Sequence, residues 1–486
     1  MINLKLNAEV RKKNIERCRE KGIILPTFEQ MKNPGSIPEK ITGKLSSVGL
    51  WDLNPLNLFR ITWQNEAVEN GGGFSGVNYI EIPGELTGVD ARIVALVGKW
   101  FPTGAHKVGA TYGCLAPALA SGNFDASEQK AVWPSTGNYC RGGAYNSALL
   151  GCDSIAILPE EMSKERFEWL SKIAGEVIAT PGCESNVKEI FDKCHELNAE
   201  RGDDIVIFNQ FEEFGNYLWH YEVTGNAILK ALGSLGISTL TGYVSSTGSG
   251  GTIAAGDFLK KQYPHLKVAA AEALQCPTLL RNGFGGHRIE GIGDKHVPWI
   301  HNVRNTDAVI AVDDNDAISL MRLLNEPNGI DYLAKQGMDT SFIPKLPLLG
   351  ISGIANVAAS IKLAKYYEMD GNDTIVTICT DSMDMYKSRI TEYRDLEGEY
   401  TSEHAAASYA KSLSGLGIDN ILEPTYYEKQ RIHNLKYYTW IEQQGKTYEE
   451  LNRQWYEKEY WTGIPEMTAG IDSMIEEFNE EAGVDL

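Results

Sequence analysis

Short apolar runs rich in β-branched residues alternate with longer amphipathic segments through most of the chain. ARIVALV at 91–97, SIAILP at 154–159 and KVAAAEA at 267–273 are typical of buried strands, and helical patterns such as GGAYNSALLG at 142–151 separate them. Short strands that alternate with helices predict parallel sheets covered by helices. We therefore expect an α/β fold with two parallel-sheet lobes and a cleft at the carboxyl ends of their strands.

The length of the chain also favours more than one lobe. Its 486 residues exceed the roughly 250 to 300 residues at which one core usually stops growing. The segment after residue 400 is charged, helical in pattern and rich in Tyr and Trp, which predicts that its rings pack on the body or on a second subunit. The predicted division is an N-terminal helix and linker at 1–45, a larger α/β lobe at 46–94 and 236–395, a smaller α/β lobe at 95–235, and a helical, aromatic-rich C-terminal extension at 396–486.

Composition argues against several classes of partner and site. Lys and Arg number 45 against 65 acidic residues, which gives a net charge of −20 without a basic tract, and this disfavours nucleic acid and anionic membranes. The eight cysteines form no CxxC pair and no metal-like spacing with histidine, so we expect reduced thiols and no metal site. No signal peptide and no long apolar run is visible, which favours a cytoplasmic location.

Three polar stretches follow predicted strands. SSTGSGGTIAAG at 245–256 would place backbone N–H groups at the positive end of a helix, which favours phosphate binding. WPSTGNYCRGGA at 133–144 offers hydroxyls and an amide, which suit a carboxylate site or an ordinary capped helix start. CTDSMDMY at 379–386 brings Asp381 and Ser382 to the end of a strand, where they either cap the next helix or face a site.

The glycine loop also admits a dinucleotide-binding interpretation. A GxGxxG fingerprint that begins at Gly248 requires Gly or Ala at position 253, where this chain has Ile253, although Glu272 stands at a suitable distance for a ribose. A nicotinamide-dependent oxidoreductase therefore stays as an alternative. A non-catalytic regulatory subunit with the same fold is a second alternative.

One lysine, Lys107, stands in the turn-like stretch PTGAHKVG at 102–109 between two apolar segments. Pyridoxal 5′-phosphate requires a lysine for its aldehyde, a cradle for its phosphate and polar partners for its ring. The three polar stretches and Lys107 together satisfy these requirements. The sequence therefore predicts this cofactor in the cleft between the lobes.

The order and wording of the motifs resemble the tryptophan synthase β superfamily, the fold type II enzymes that use pyridoxal phosphate. The resemblance is strongest to its cysteine synthase and cystathionine β-synthase group. PTGAHK is similar to that group's PTGSxK, STGNY to TSGNT, GSGGT to GTGGT and DSMDMY to DSGERY. NQFEEFGN at 209–216 also resembles QQFENPAN, and the likeness extends over roughly residues 50–395.

The resemblance implies a role for each matching residue. Lys107 would form the Schiff base and act as the catalytic general base. The implied cofactor-binding residues are Lys107, Asn138 for the ring oxygen, Gly248, Ser249, Gly250, Gly251 and Thr252 for the phosphate, and Ser382 for the ring nitrogen. The implied ligands of the substrate carboxylate are Ser135, Thr136, Gly137 and Gln210.

The resemblance also implies a homodimeric enzyme that acts at the β-carbon of a small amino acid through an aminoacrylate intermediate. The outcome is either β-elimination with deamination or β-replacement as in cysteine synthase. Departures from the family concern the substrate: Val108 and Gly109 replace an Asp-Arg pair, Tyr139 replaces a small threonine, and Asp294 to His296 stand where they could meet a charged group. The acceptor pocket is therefore left open.

Overall fold

The computed structural model describes residues 1–66, 70–183, 185–293 and 295–484. Elements within these ranges are numbered in chain order. The strands are β1 (Tyr79–Ile82), β2 (Arg92–Val97), β3 (Lys130–Pro134), β4 (Ser154–Pro159), β5 (Glu176–Thr180), β6 (Ile205–Ile207), β7 (Gly242–Ser246), β8 (Lys267–Ala273), β9 (Ala308–Val312), β10 (Thr374–Cys379) and β11 (Ile421–Leu422).

The α-helices of the same ranges cover both sheets and build the two ends of the chain. They are α1 (Ala8–Lys21), α2 (Phe28–Lys32), α3 (Glu39–Leu45), α4 (Gly84–Thr87), α5 (Lys107–Ser121), α6 (Asn138–Leu149), α7 (Lys164–Ile173), α8 (Val187–Arg201), α9 (Phe214–Trp219), α10 (Gly225–Ser234), α11 (Ala254–Gln262), α12 (Thr278–Arg281), α13 (Asp314–Asn325), α14 (Pro327–Lys335), α15 (Ile351–Tyr366), α16 (Lys387–Glu397), α17 (Ser402–Ser408), α18 (Tyr426–Asn434), α19 (Tyr448–Tyr456), α20 (Lys458–Thr462) and α21 (Thr468–Ala482).

The larger sheet has seven strands in the order β1-β2-β10-β7-β8-β9-β11. Its five inner strands pair in parallel, whereas β1 and β11 pair antiparallel at the two edges. Every residue of β9 and β10 is buried, as expected for parallel strands covered by helices on both faces. The predicted α/β class is confirmed.

The smaller sheet has four parallel strands in the order β5-β4-β3-β6. Helices α5 and α6 pack against each other beside it. The sequence division placed the start of the smaller lobe at residue 95, but this residue lies inside β2, which pairs with β1 and β10 in the larger sheet. The smaller lobe therefore begins after Val97, because all of β2 pairs within the larger sheet.

The C-terminal extension packs on the body through its larger rings. Trp440 and Trp461 are buried, whereas Tyr427 and Tyr438 are exposed. Helix α21 packs against α1 and α5, so both ends of the chain cover the helix that begins with Lys107. No helix in the described ranges is both long and apolar enough to cross a membrane.

Candidate active site

A small cavity lies between the two sheets, where the carboxyl ends of β3, β7 and β10 meet. Its lining residues are Lys107, Ser135, Thr136, Asn138, Tyr139, Gln210, Phe211, Gly248, Ser249, Gly291, Ile292 and Thr380. This set includes Lys107, Ser135, Thr136, Asn138, Gln210, Gly248 and Ser249 of the predicted site. The predicted residues outside the lining are Gly137, Gly250, Gly251, Thr252 and Ser382.

Lys107 is the first residue of α5 and follows a tight turn in which Thr103 and Gly104 have φ values of 68° and 70°. A non-glycine residue in this region is strained, and such residues are frequent at functional sites. The Nζ of Lys107 donates to Ser249 Oγ at 2.9 Å and to Gln210 Oε1 at 3.3 Å. The lysine of the smaller lobe therefore contacts the glycine loop of the larger lobe directly.

The glycine loop between β7 and α11 is shaped by Asn216. A Cβ at Gly251 would lie 2.1 Å from Asn216 Oδ1, and Asn216 Nδ2 donates to Ser249 Oγ at 3.0 Å. Among the described residues, the backbone N–H groups of Gly248 and Ser249 have no hydrogen-bond acceptor. Two free donors that line a cavity at the start of a helix suit a phosphate group.

Asn216 was not singled out from the sequence, although it ends the stretch NQFEEFGN. The remaining loop residues make internal contacts. Thr252 accepts from Ser245 Oγ at 2.8 Å, and a Cβ at Gly250 would lie 3.2 Å from Pro298 Cβ. The predicted roles of both residues toward a phosphate stay predictions.

The side chain of Arg166 packs against the loop that follows β3 and donates a hydrogen bond to it. Gly137 has a φ of 151°, and a Cβ there would lie 2.3 Å from Arg166 Nη1. Arg166 Nη1 donates to Thr136 O at 2.9 Å, and Ser135 Oγ accepts from Gly137 N at 2.9 Å. Gly137 therefore permits the guanidinium to approach the backbone, while Ser135 and Thr136 line the cavity.

Arg166 belongs to a buried charge network between the lobes. Its guanidinium lies 2.9 Å from Glu290 Oε2 and 3.1 Å from the hydroxyl of Tyr386. Glu290 also accepts from Arg389 Nε at 2.6 Å. In the sequence Arg166 stands in an amphipathic helical pattern that is typical of a surface cation, so nothing marked it as a buried residue.

Asp381 accepts a hydrogen bond from one of the predicted cofactor ligands. Its Oδ2 accepts from Asn138 Nδ2 and from the hydroxyl of Tyr386, each at 2.6 Å, and burial raises the pKa of this carboxyl. Asp381 therefore links the lobes and does not cap a helix. Ser382 is buried outside the cavity lining, where Thr380 stands instead.

Asn138 retains binding capacity after this contact. Its second amide hydrogen is not used by Asp381, and its buried Oδ1 has no partner among the described residues. Buried amide atoms without partners are rare. The side chain can therefore bind a ring oxygen, as the resemblance implies.

His106 precedes the lysine and is fully buried. Its Nε2 lies 3.2 Å from Thr380 Oγ1, and its ring lies 4.8 Å from the ring of His220. Burial lowers the pKa of both histidines well below the ordinary value. Both rings are therefore neutral near pH 7, and Lys107 has no imidazolium beside it.

The two residues after the lysine pack and do not line the cavity. A Cβ at Gly109 would lie 2.1 Å from Trp219 Cε2, and Val108 O accepts from Asn146 Nδ2 at 2.8 Å. Both residues are fully enclosed by α6 and α9. The replacement of the family's Asp-Arg pair by Val108 and Gly109 therefore affects the packing of the helices and not the lining of the cavity.

We expect Gly109→Ala to lower the free energy of unfolding by about 1–3 kcal/mol, because an added methyl group overpacks a dense core. Urea denaturation measures this change. Gly43→Ala is the control, since a Cβ there meets nothing within 4 Å in the helix α3 and Ala is the better helix former. Equal stability of Gly109→Ala and the wild type would contradict the packing explanation.

The segment proposed to meet a charged substrate group is only partly described. Asp294 lies outside the described residues, and Lys295 is exposed. The ring of His296 packs 4.9 Å from Phe211 and 5.7 Å from Trp440, and burial lowers its pKa to about 3. His296 is therefore a neutral ring in an aromatic cluster.

Part of the chain matches a known protein family and several known proteins. The family described as "Pyridoxal-phosphate dependent enzyme" matches residues 98–333. A cysteine synthase from Staphylococcus aureus is 30% identical over 258 residues, which are 53% of this chain and 75% of that protein. Cystathionine beta-synthase from Saccharomyces cerevisiae is 26% identical over 315 residues, 63% of this chain and 59% of the relative.

Solved structures show the same fold. A cysteine synthase from Entamoeba histolytica has a TM-score of 0.57 at 22% identity, over 69% of this chain and 94% of that chain. A hydrogen sulfide-producing enzyme from Fusobacterium nucleatum has a TM-score of 0.55 at 25% identity, over 69% and 92%.

The chain belongs to the family of pyridoxal-phosphate dependent enzymes. Within this family it is similar to the cysteine synthases, so the resemblance drawn from the motifs is confirmed. Its cofactor is pyridoxal 5′-phosphate. The nicotinamide-dependent alternative and the non-catalytic alternative are therefore set aside.

Proposed function

We propose that the protein catalyses β-replacement on a small amino acid, as a cysteine synthase does. The observation that carries the proposal is the position of Lys107 Nζ, which contacts the glycine loop at Ser249 and the loop of Gln210 in one cavity. A phosphate-bearing cofactor and an amino-acid carboxylate would therefore meet at this amine. The names of the relatives from Staphylococcus aureus and Saccharomyces cerevisiae support the same chemistry.

The residues around the cavity suit each part of the cofactor. The free N–H groups of Gly248 and Ser249 would hold the phosphate, and Asn138 would hold the ring oxygen. The neutral hydroxyl of Ser382 stays the proposed partner of the ring nitrogen. When bound, the cofactor supplies an aldehyde for Lys107 and an electron sink for the bonds at the substrate's α-carbon.

Residues of the protein would transfer the substrate's α-proton and bind the substrate's carboxylate. Lys107 Nζ takes the α-proton as general base and later returns it as general acid. Ser135, Thr136 and Gln210 would bind the substrate carboxylate, because all three line the cavity beside the lysine. The hydrogen bond from Nζ to Gln210 orients the amine toward that position.

The walls of the cavity limit the size of the substrate. Tyr139, Phe211 and Ile292 line it, and Tyr139 is held by an edge-to-face contact with Trp133 at 5.5 Å. Large rigid rings leave room for a short side chain only. An O-activated serine with a small nucleophile such as sulfide is therefore the proposed substrate pair.

The substrate screen uses O-acetylserine, O-phosphoserine, cysteine, serine and threonine, each with and without sulfide. We expect an amino-acid product from an O-activated serine only when sulfide is present. The Lys107→Ala variant is measured in parallel, because any product that it also forms is not made at this site. A keto acid formed without a nucleophile would replace the proposal by β-elimination, and no product from any substrate would refute it.

We also propose a cytoplasmic homodimer. All eight cysteines are free thiols and seven of them are buried, which suits a reducing compartment. Among the described residues no group of three or more His, Cys, Asp or Glu side chains is placed to hold a metal ion. Light scattering measures the subunit number, and a monomer at micromolar concentration would refute the dimer.

A further inference from the structure

The C-terminal extension contains a buried lysine that binds the backbone of Trp299 and His301. Lys436 is fully buried, and its Nζ donates to the carbonyl oxygens of Trp299 at 2.9 Å and His301 at 2.8 Å and to Gln454 Oε1 at 2.7 Å. The same nitrogen lies 5.5 Å from the ring of Trp461. The partners that the structure describes for this amine include no carboxylate.

A lysine in this setting needs an explanation beyond packing. Lysines are almost never fully buried without a charged partner, and burial lowers the pKa of Lys436 well below its ordinary value. An apolar side chain of similar length would fill the same space at lower desolvation cost. An apolar side chain would lose the hydrogen bonds to the carbonyl groups of Trp299 and His301 and to Gln454.

Residues 297–301 touch both loops of the proposed site. The N–H of Trp299 donates to the carbonyl oxygen of Phe211 at 2.8 Å, and Phe211 lines the cavity next to Gln210. The chain of contacts therefore runs from Lys436 through Trp299 to the loop that would bind the substrate carboxylate.

The same segment also supports the glycine loop. A Cβ at Gly250 would lie 3.2 Å from Pro298 Cβ and 3.4 Å from His301 Cβ. Gly250 therefore rests on the segment whose carbonyl groups Lys436 binds. A displacement of residues 298–301 would move the N–H groups of Gly248 and Ser249 relative to the cavity.

Trp440 and Gln454 of the extension also bind this segment, and a third residue, Lys446, binds the neighbouring loop that carries Gln210. Trp440 Nε1 donates to Val297 O at 2.8 Å, and Gln454 Nε2 donates to Trp299 O at 3.2 Å. Lys446 Nζ pairs with Glu212 at 2.5 Å, two residues after Gln210. The extension therefore binds this region through directed hydrogen bonds and an ion pair, and not through apolar packing alone.

We propose that Lys436 is a positioning residue, and that through it the C-terminal extension sets the geometry of the phosphate-binding loop. This inference rests on the proposed role of residues 248–252 in holding the cofactor phosphate. The extension, which lies outside the region shared with the family, is then part of the cofactor site.

The test compares pyridoxal 5′-phosphate with pyridoxal, which lacks the phosphate. Each compound is titrated into the full-length apoenzyme, and binding is followed by tryptophan fluorescence and cofactor absorbance. In Lys436→Met we expect the dissociation constant of pyridoxal 5′-phosphate to rise about tenfold, whereas that of pyridoxal changes less than twofold. A purely structural defect would weaken both compounds together, so the ratio of the two constants is the informative quantity.

Tyr427→Ser is the matched control, because Tyr427 belongs to the same extension and is 78% exposed. Trp440→Phe provides a second variant that keeps a ring but removes the hydrogen bond to Val297, and we expect a several-fold change of the ratio in the same direction. If Lys436→Met does not fold, this second variant decides the question.

The outcomes separate this inference from the proposed function. If the wild type does not prefer pyridoxal 5′-phosphate over pyridoxal, the proposed role of residues 248–252 is wrong. If the wild type has this preference and Lys436→Met, or Trp440→Phe in its place, retains the wild-type ratio, the proposed role of Lys436 alone is refuted.

Discussion

Lys107→Ala is expected to lose at least about a thousandfold in kcat, because the substitution removes both the covalent attachment and the general base. The purified variant is also expected to release its cofactor on dialysis. In the wild type, reduction with borohydride should fix the cofactor to Lys107, and peptide mass mapping identifies the modified residue. Steady-state kinetics with the substrate found in the screen measures the loss.

Lys99→Ala is the control for this experiment. Lys99 is near Lys107 in the sequence, but its amine pairs with Asp384 at 2.9 Å and lies outside the cavity lining. We expect this variant to keep its cofactor and its activity. A reduced cofactor on any lysine other than Lys107 would show that the active site has been assigned to the wrong place.

Arg166→Ala is expected to lower the free energy of unfolding by about 1–3 kcal/mol, the cost of a buried polar group that loses a hydrogen-bond partner. The substitution removes a donor from the carbonyl of Thr136 and one of the two guanidinium groups that pair with Glu290, which keeps Arg389. Because Thr136 belongs to the loop proposed for the substrate carboxylate, KM for the amino acid should rise as well. Denaturant unfolding and steady-state kinetics measure the two effects.

Lys164→Ala lies on the same helix, α7, and provides the comparison. Its side chain is 78% exposed, and the ion pair that the structure describes for it is with Glu168 at 3.4 Å, so we expect a change below about 0.5 kcal/mol. If Arg166→Ala is as stable as Lys164→Ala and binds its substrate equally well, the network between the lobes has no role in shaping the loop.

The regular part of the fold could be predicted because its signals are local. Strands at 154–159 and 267–273 have the predicted bounds, since short β-branched runs between turns are recognised from neighbouring residues. The edge strand Ile421–Leu422 could not be found, because two residues carry no period. It exists as a strand only through pairing with Val309 and Ile310.

The residues of the candidate site differ in the same way in how well the sequence predicts them. The lysine and the glycine loop were visible because each motif is contiguous in the sequence. For Asp381 the sequence left open whether it caps a helix or faces a site, and in the structure it binds a side chain 243 positions away. The sequence around Lys436 does not predict that this lysine is buried. The residues that enclose it lie far from it in the chain.

The position of α5 has a consequence for the order of assembly on the ribosome. Tyr112 on this helix donates its hydroxyl to Pro26 O at 2.6 Å, Asn14 reaches Leu119 O at 2.9 Å, and Phe478 of α21 is buried in the same core. A nascent chain that has just released α5 still lacks residues 468–482. The helix that begins with Lys107 therefore gains the cover of α21 only after residues 468–482 have been translated.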